Sequence, residues 1–594
     1  MAGVVDVDKI WKALGVWKPY QLSQLFYIYA CTVPVAYPVL SWVFIGYTPP
    51  SQCKALSSNL SEYDIGLTGN VSDFRIEYGK CDLTIHSTNN TPDPYQDMKP
   101  RKFDCLNGYH FDHSEGETVT MEFGLICGKS GLGEFSTTMV LVGMCLGAAI
   151  FPSLSDRFGR KTVAVVTHVF MLAANLALAF MPNLASFATF RTIIGTLQQG
   201  LGLSTAIIHV EIFPMEWRGF LGFTGSVNWS LCVCSLALFG YLMRNLSWRY
   251  LQLALSLVSF HALFGPWILD ESLRWLIANN KNTKAVRLIE KAARWNKKDP
   301  RKILSLLDPE KEEMLQLKDT EYKYETVESK AYVPTSGKDK QESVSEATIT
   351  EKYSFLDILK NRVLLRNSLI LWYTWAVNSG TYYGLFLTSS SLSFGNRYLN
   401  YFINGLVEIP AALAYFAVIN RIGRKYTCVL FHGLAGVSLI LSVALLAATK
   451  EDGDAAAIAS TIFSYSGKLG ISASFLTIFM YTPELYPTNL RNVGIGIASA
   501  TGRIGGMMSP YSSVLVRIGK LYQMQYAIWA PGVLFGSCCL VAMVLMFFLP
   551  ETGGYILPQT IEEMEKWTKE QSYFRPYKNK QQLVVDDEKR KTDE

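Results

Sequence analysis

The chain has 594 residues, of which 49% are hydrophobic, 13% aromatic and 18% charged, whereas soluble domains carry about 25% charged residues. Mean hydropathy is +0.16, and the net charge of +5 is too small and diffuse for a nucleic-acid binder. These figures exclude an ordinary soluble globule and point to a protein whose solvent is partly lipid.

Residues 1–21 mix polar and aromatic side chains. The apolar block that follows is too long for a signal h-region, so it is expected to stay as a span. A helix needs roughly 20 apolar residues to cross the hydrocarbon core. Twelve such blocks are read, at 22–46, 134–154, 162–181, 186–208, 219–243, 248–268, 364–388, 399–419, 427–448, 456–481, 492–516 and 524–549.

Between the first two blocks lies a long polar loop, 47–133, with acceptor tripeptides for N-glycosylation at Asn59, Asn70 and Asn89. It also holds Cys53, Cys81, Cys105 and Cys127, an even number that predicts two disulfides in an oxidising compartment, with three pairings open. A second long loop, 269–363, is rich in Lys and Arg, as is the short "SDRFGRK" at 155–161. The positive-inside rule puts both in the cytoplasm, and an even number of spans puts both termini there. Apolar positions at helical spacing (Leu276, Ala285, Leu288, Ile289, Ala292) predict short amphipathic helices in the second loop. Residues 320–350 and the tail after 575 have a disordered composition.

The two six-span halves repeat in register. "SDRFGRK" after span two is matched by "INRIGRK" after span eight, "VEIFPMEWRG" after span four by "PELYPTNLRN" after span ten, and "LDESLRWL" after span six by "LPETGG" after span twelve. A duplicated six-helix unit predicts an all-α membrane protein with twelve transmembrane helices in two pseudo-symmetric six-helix bundles, the major facilitator fold, and a site at midplane between them. The expected layout is 1–21 cytoplasmic N-terminus, 22–46 first helix, 47–133 extracellular loop, 134–268 rest of the first bundle, 269–363 cytoplasmic loop, 364–549 second bundle and 550–594 cytoplasmic tail. Charges at the turns predict gating networks, with Asp156, Arg157, Arg160 and Lys161 clustering with Glu211 and Arg218, and Arg424 and Lys425 with Glu484 and Arg491.

Charged residues within spans are costly and mark the interior. They are Arg503 in "GIASATGRIGGMMSP", Glu408 in "NGLVEIPAAL" and Lys468 in "YSGKLGIS", with Glu408 a candidate partner for either cation. Aromatic residues add a box suited to an ammonium group. Trp375 and Tyr382, seven apart in span seven, share a helix face, while span five offers Trp229 and Ser226, span four Gln199 and span one Tyr37. No nucleotide-binding loop, ligand spacing for a metal or nucleophile–base pair is visible, and the seven His are scattered. Transport would then draw on a solute or ion gradient, so no cofactor is expected. A sodium ion or a proton is a candidate coupling ion, with Glu408 and Lys468 as candidate carriers.

The ordered motifs "SDRFGRK", "ESLRWL", "VEIP" and "ELYPTNLRN", with the large loop after span one, resemble the organic cation, carnitine and organic anion transporters of solute carrier family 22. The resemblance covers essentially the whole chain. Pro152 stands where the first turn motif usually has Gly, and Asn420 where the second usually has Asp. The resemblance implies a multi-pass plasma-membrane carrier working by alternating access on small organic ions, with pocket residues at Tyr37, Gln199, Ser226, Trp229, Trp375, Tyr382, Glu408 and Arg503. It implies Asp at the Arg503 position in members that prefer cations, and Arg in carnitine-type and anion members. The expected substrate is therefore a carnitine-like zwitterion or an organic anion. The alternative is an organic cation or biogenic amine, with Arg503 neutralised by Glu408.

Overall fold

The structure, a computed structural model, describes residues 6–57, 63, 71, 74–87, 101–111, 115–307, 355–388, 396–448, 454–487, 490–512, 530–553 and 561–570. Twelve long helical segments lie among them, one for each apolar block. The first six are α1 Pro19–Ile45, α2 Gly131–Phe158, α3 Arg160–Leu178, α4 Leu184–Glu211, α5 Arg218–Leu242 and α6 Trp248–Ile268. The second six are α7 Arg362–Thr388, α8 Arg397–Ile422, α9 Arg424–Ala448, α10 Asp454–Glu484, α11 Arg491–Met508 and α12 Ala530–Met546. Large apolar side chains such as Phe26, Phe170, Phe180 and Leu242 stay exposed, as lipid-facing surfaces require.

Helix packing repeats the sequence repeat. In the first bundle α4 packs on α1, α2 and α3, while α5 packs on α1 and α6 on α3. In the second bundle α10 packs on α7, α8 and α9, while α11 packs on α7 and α12 on α9. Small residues permit these approaches: Cβ atoms at Gly143, Gly195 and Gly505 would strike the carbonyls of Thr192, Val140 and Ala376. The most extensive packing between the bundles is of α5 on α8 and of α2 on α11.

Several contacts between the bundles lie at one end. There Phe44 stacks on Tyr398 at 5.5 Å and meets Tyr401 at 4.9 Å, Glu115 ion-pairs with Arg397, and Thr138 donates to the Met507 carbonyl. At the same end sits the long loop. Its strands β1 Ser51–Cys53 and β5 Tyr109–Phe111 pair antiparallel, and β2 Phe74–Tyr78, β3 Asp82–Ser87 and β4 Arg101–Asp104 form a second antiparallel sheet. The disulfides are Cys53–Cys105 and Cys81–Cys127, one of the three pairings left open by composition. Asn59, Asn70 and Asn89 lie outside the described residues, as do 320–350 and the tail after 575. At the opposite end the N-terminal helix Val7–Leu14 packs on helices Leu273–Ala278, Asn282–Trp295 and Pro300–Leu304 in an apolar satellite core.

The turns between α2 and α3 and between α8 and α9 share one construction. Gly159 and Gly423 adopt φ of +103° and +91°, where a side chain is strained. A carboxylate from beyond the sixth or twelfth helix then caps the next helix. Glu271 accepts from the amides of Arg160 and Lys161, and Glu551 from those of Arg424 and Lys425. Burial pushes the pKa of both carboxyls above the ordinary value, while those amide bonds pull the other way. A Cβ on either glycine would collide with the capping carboxylate.

Gly423→Ala should therefore cost about 1–3 kcal/mol by forcing the strained turn and displacing Glu551. Gly496→Ala, in a helical position with open space around it, should stabilise by up to about 1 kcal/mol. Thermal melting of the purified protein would compare the two, and equal midpoints would refute the capping account.

Candidate functional site

The seam between the bundles holds a hydrogen-bonded chain. It begins in the second bundle at a break in α8, where helix Arg397–Leu406 ends and helix Glu408–Ile422 begins. Pro410 explains the break, because its ring clashes with the carbonyl four residues earlier and it cannot donate back to it. The break places Glu408 inside the bundle, 7% exposed, opposite the fully buried Lys468 of α10. Lys468 Nζ lies 3.1 Å from Glu408 Oε1, and 3.3 and 3.7 Å from the ring centroids of Tyr382 and Phe386. Both ring faces favour the cation.

Tyr382 of α7 extends the chain across the seam. Its hydroxyl donates to Glu408 Oε1 at 2.6 Å and accepts from Trp229 Nε1 of α5 at 2.7 Å. Beside it Ser230 donates to the Gly405 carbonyl at 2.6 Å. Trp229, Tyr382, Glu408 and Lys468 thus form one continuous polar thread through apolar surroundings.

Arg503 of α11 crosses the seam the other way. Nη2 donates to Gln199 Oε1 of α4 at 2.7 Å, and Nη1 to the carbonyl and hydroxyl of Ser499. Nε is buried without a hydrogen-bond partner. Among the described residues no carboxylate lies within ion-pair distance of Arg503. Of the two cations for which Glu408 was a candidate partner, Lys468 holds it.

Other predicted residues spread more widely. Tyr37 is buried in the first bundle with its hydroxyl 2.9 Å from Ser235 Oγ. Ser226 is half-buried and donates to the Gly222 carbonyl. Trp375 shares a face with Tyr382 as expected, yet it is 2% exposed and packed in the second bundle, its Nε1 donating to Thr482 at 2.8 Å. Phe475 of α10 fills the space between them, with ring centroids 6.0 Å from Trp375 and 5.7 Å from Tyr382. Phe475 carries no charge or motif, so nothing in the sequence marked it. Arg191, a charge inside span four, was legible but passed over. It is fully buried in α4 and lies over the rings of Trp42 and Phe187 at 5.6 and 5.8 Å.

At the turns the expected clusters form only in part. Asp156 pairs with Arg160 at 2.8 Å, and the Asp156 carbonyl accepts from Trp275 Nε1. Arg157 is exposed over Phe158, and the Lys161 amide goes to Glu271. Among the described residues no ion pair joins Glu211 or Arg218 to this group. Each instead keeps a buried polar atom without a hydrogen-bond partner there, Glu211 at the end of α4 and Arg218 at the start of α5. In the second half Arg424 Nε lies 3.4 Å from Glu484, which also accepts from Thr552, while Arg491 donates to the Pro483 carbonyl. The Lys425 amide goes to Glu551. Glu271 and Glu551 were not singled out, although both stand in the third repeated motif pair.

A family model described as "Sugar (and other) transporter" matches residues 51–566. The chain is 29% identical to the organic cation transporter protein of Drosophila melanogaster over 569 residues, 95% of each chain. It is 29% identical to organic anion transporter 3 of Mus musculus over 563 residues, 94% of each. Its fold matches the xylose transporter XylE from E. coli in a partially occluded inward open conformation, with TM-score 0.55 and 13% identity, covering 91% of this chain and 100% of that one.

Breaking the Glu408–Lys468 pair from one side should leave an uncompensated buried charge. Lys468→Met or Glu408→Gln alone should each cost about 3–5 kcal/mol, and the double variant much less than their sum. Melting temperatures in one detergent would show this, and additive losses would mean the two side chains are not coupled.

Proposed function

The chain belongs to the sugar (and other) transporter family, and from that premise we propose a secondary transporter of small organic ions in solute carrier family 22, with a carnitine-like zwitterion or organic anion as substrate. Family membership makes it a multi-pass membrane transporter of the major facilitator fold and not an enzyme.

One observation carries the substrate reading: among the described residues, Arg503 stands at the seam with neutral hydrogen-bond partners only. A guanidinium grips a carboxylate in a bidentate fork, and substrate would take up the charge that Gln199 and Ser499 leave uncompensated. The rings of Trp229, Tyr382 and Phe475 offer faces for an ammonium group on the same molecule. Tyr37, Ser226 and Trp375 support the pocket walls.

In this reading the protein lies in the plasma membrane with the disulfide-bonded loop outside and both termini in the cytoplasm. The bundles, joined at the loop end, then stand inward-facing. Alternating access would exchange the contacts of Phe44, Tyr398 and Arg397 for new contacts between the charged turns at 155–161 and 419–425 and Glu211, Arg218, Glu484 and Arg491, of which only the Arg424–Glu484 pair is formed among the described residues. Glu408 and Lys468 are the proposed coupling pair. A sodium ion or proton replacing Lys468 on Glu408 would loosen Tyr382 from Trp229.

A second reading, an organic cation or biogenic amine carrier, draws support from the similarity to the organic cation transporter protein of Drosophila melanogaster. It requires Arg503 to be neutralised, and Glu408 is engaged by Lys468.

Uptake by reconstituted vesicles of labelled carnitine, against a quaternary amine lacking a carboxylate, separates the readings. Arg503→Ala should reduce kcat/KM for the carboxylate-bearing substrate by about 10–100-fold, as for loss of a charged hydrogen bond. Uptake of the amine alone, unaffected by Arg503→Ala, would establish the second reading.

A further inference from the structure

The fold gathers two histidines and a cysteine inside the first bundle, away from the seam. Cys31 comes from α1, His168 from α3 and His261 from α6, and one donor atom of each lies within 4.8 Å of the other two. Cys31 Sγ is 3.8 Å from His168 Nδ1, and the imidazole centroids are 4.8 Å apart. His168 is fully buried, and Nε2 of both histidines is buried without a hydrogen-bond partner.

Local structure prepares the third donor. Residues Val258–Phe264 of α6 wind as a 3-10 helix, a departure from α geometry that often marks a functional stretch. There His261 Nδ1 lies 3.0 Å from the Val258 carbonyl. An N–H at Nδ1 satisfies that carbonyl and leaves the Nε2 lone pair free, the arrangement that fixes tautomer and ring orientation in metal-bound histidines. The Tyr27 ring edges His261 at 5.7 Å, and Gly265 leaves room for the Tyr27 hydroxyl.

We propose that Cys31, His168 and His261 bind one Cu(I) ion in a three-coordinate site that staples α1, α3 and α6 together. On binding, the thiol proton leaves to water, one Cu–S and two Cu–N bonds form, and nothing is oxidised or reduced. Thiolate and imidazole donors suit a soft ion. Charge balance selects the valence: one thiolate cancels one monovalent ion, whereas Zn(II) would leave a net positive charge at membrane depth. Three donors also fall short of the four that structural zinc takes. Metal–donor bonds of about 2.0–2.3 Å require the side chains to draw together by about an ångström.

The test is an oxygen-free titration of the purified full-length protein with Cu(I) against a coloured Cu(I) chelator. One tightly held copper per chain is expected, retained in Cys145→Ser and weakened at least 10-fold in Cys31→Ser and His168→Gln. X-ray absorption of the wild-type copper form should show one sulfur and two nitrogen neighbours, a readout that does not depend on any variant folding. A sulfur-only shell, the same affinity in Cys31→Ser, no tight copper, or equal competition by Zn(II) would each overturn the proposal.

Discussion

The thread from Trp229 through Tyr382 and Glu408 to Lys468 is the interaction on which the interior depends. A carboxylate and an ammonium inside a membrane bundle persist only if each compensates the other. Their pairing fixes the position of α8 against α10, and the Pro410 break puts Glu408 within reach. Tyr382 then joins that pair to the other bundle through a single hydroxyl. The state of one buried ion pair is thereby linked to the hold of the bundles on each other. Arg503 differs from Lys468 in this respect: both are interior cations, but among the described residues only Lys468 has a carboxylate partner.

The duplicated turns show how far repetition extends below the level of sequence. Glycine at positive φ, a remote glutamate and two capped amides recur in both halves. Where the halves differ, the charges rearrange locally. Asp156 holds Arg160 in the first half. The second half has Asn420 at the matching place, and there Arg424 turns to Glu484.

The helices of the two bundles and the register of the halves were legible because length and hydropathy in a membrane protein are set by the bilayer. What faces what within a span was harder to read. Lipid and a neighbouring helix both favour apolar side chains, so periodicity loses the contrast that marks a buried face in water. Hence Arg503, Glu408 and Lys468 stood out as charges, whereas the partner of Glu408 did not follow from their order. Phe475 was hidden among its equals, and Trp375 was foreseen on the correct face but not in its packed setting. Cys31, His168 and His261 lie more than ninety residues apart in sequence, and only helix packing makes them neighbours. The disulfide pairing was likewise open until the strands were placed.

That pairing has a topological consequence. Cys53–Cys105 and Cys81–Cys127 interleave along the chain, so every peptide bond from Cys53 to Cys127 is bridged by at least one of them. A protease that cuts between Cys53 and Cys127 would produce two fragments that stay covalently joined, with α1 still tethered to α2. Such a cut would be invisible by size until the cystines are reduced, and the loop can tolerate damage at its surface without releasing the first helix from the rest of the carrier.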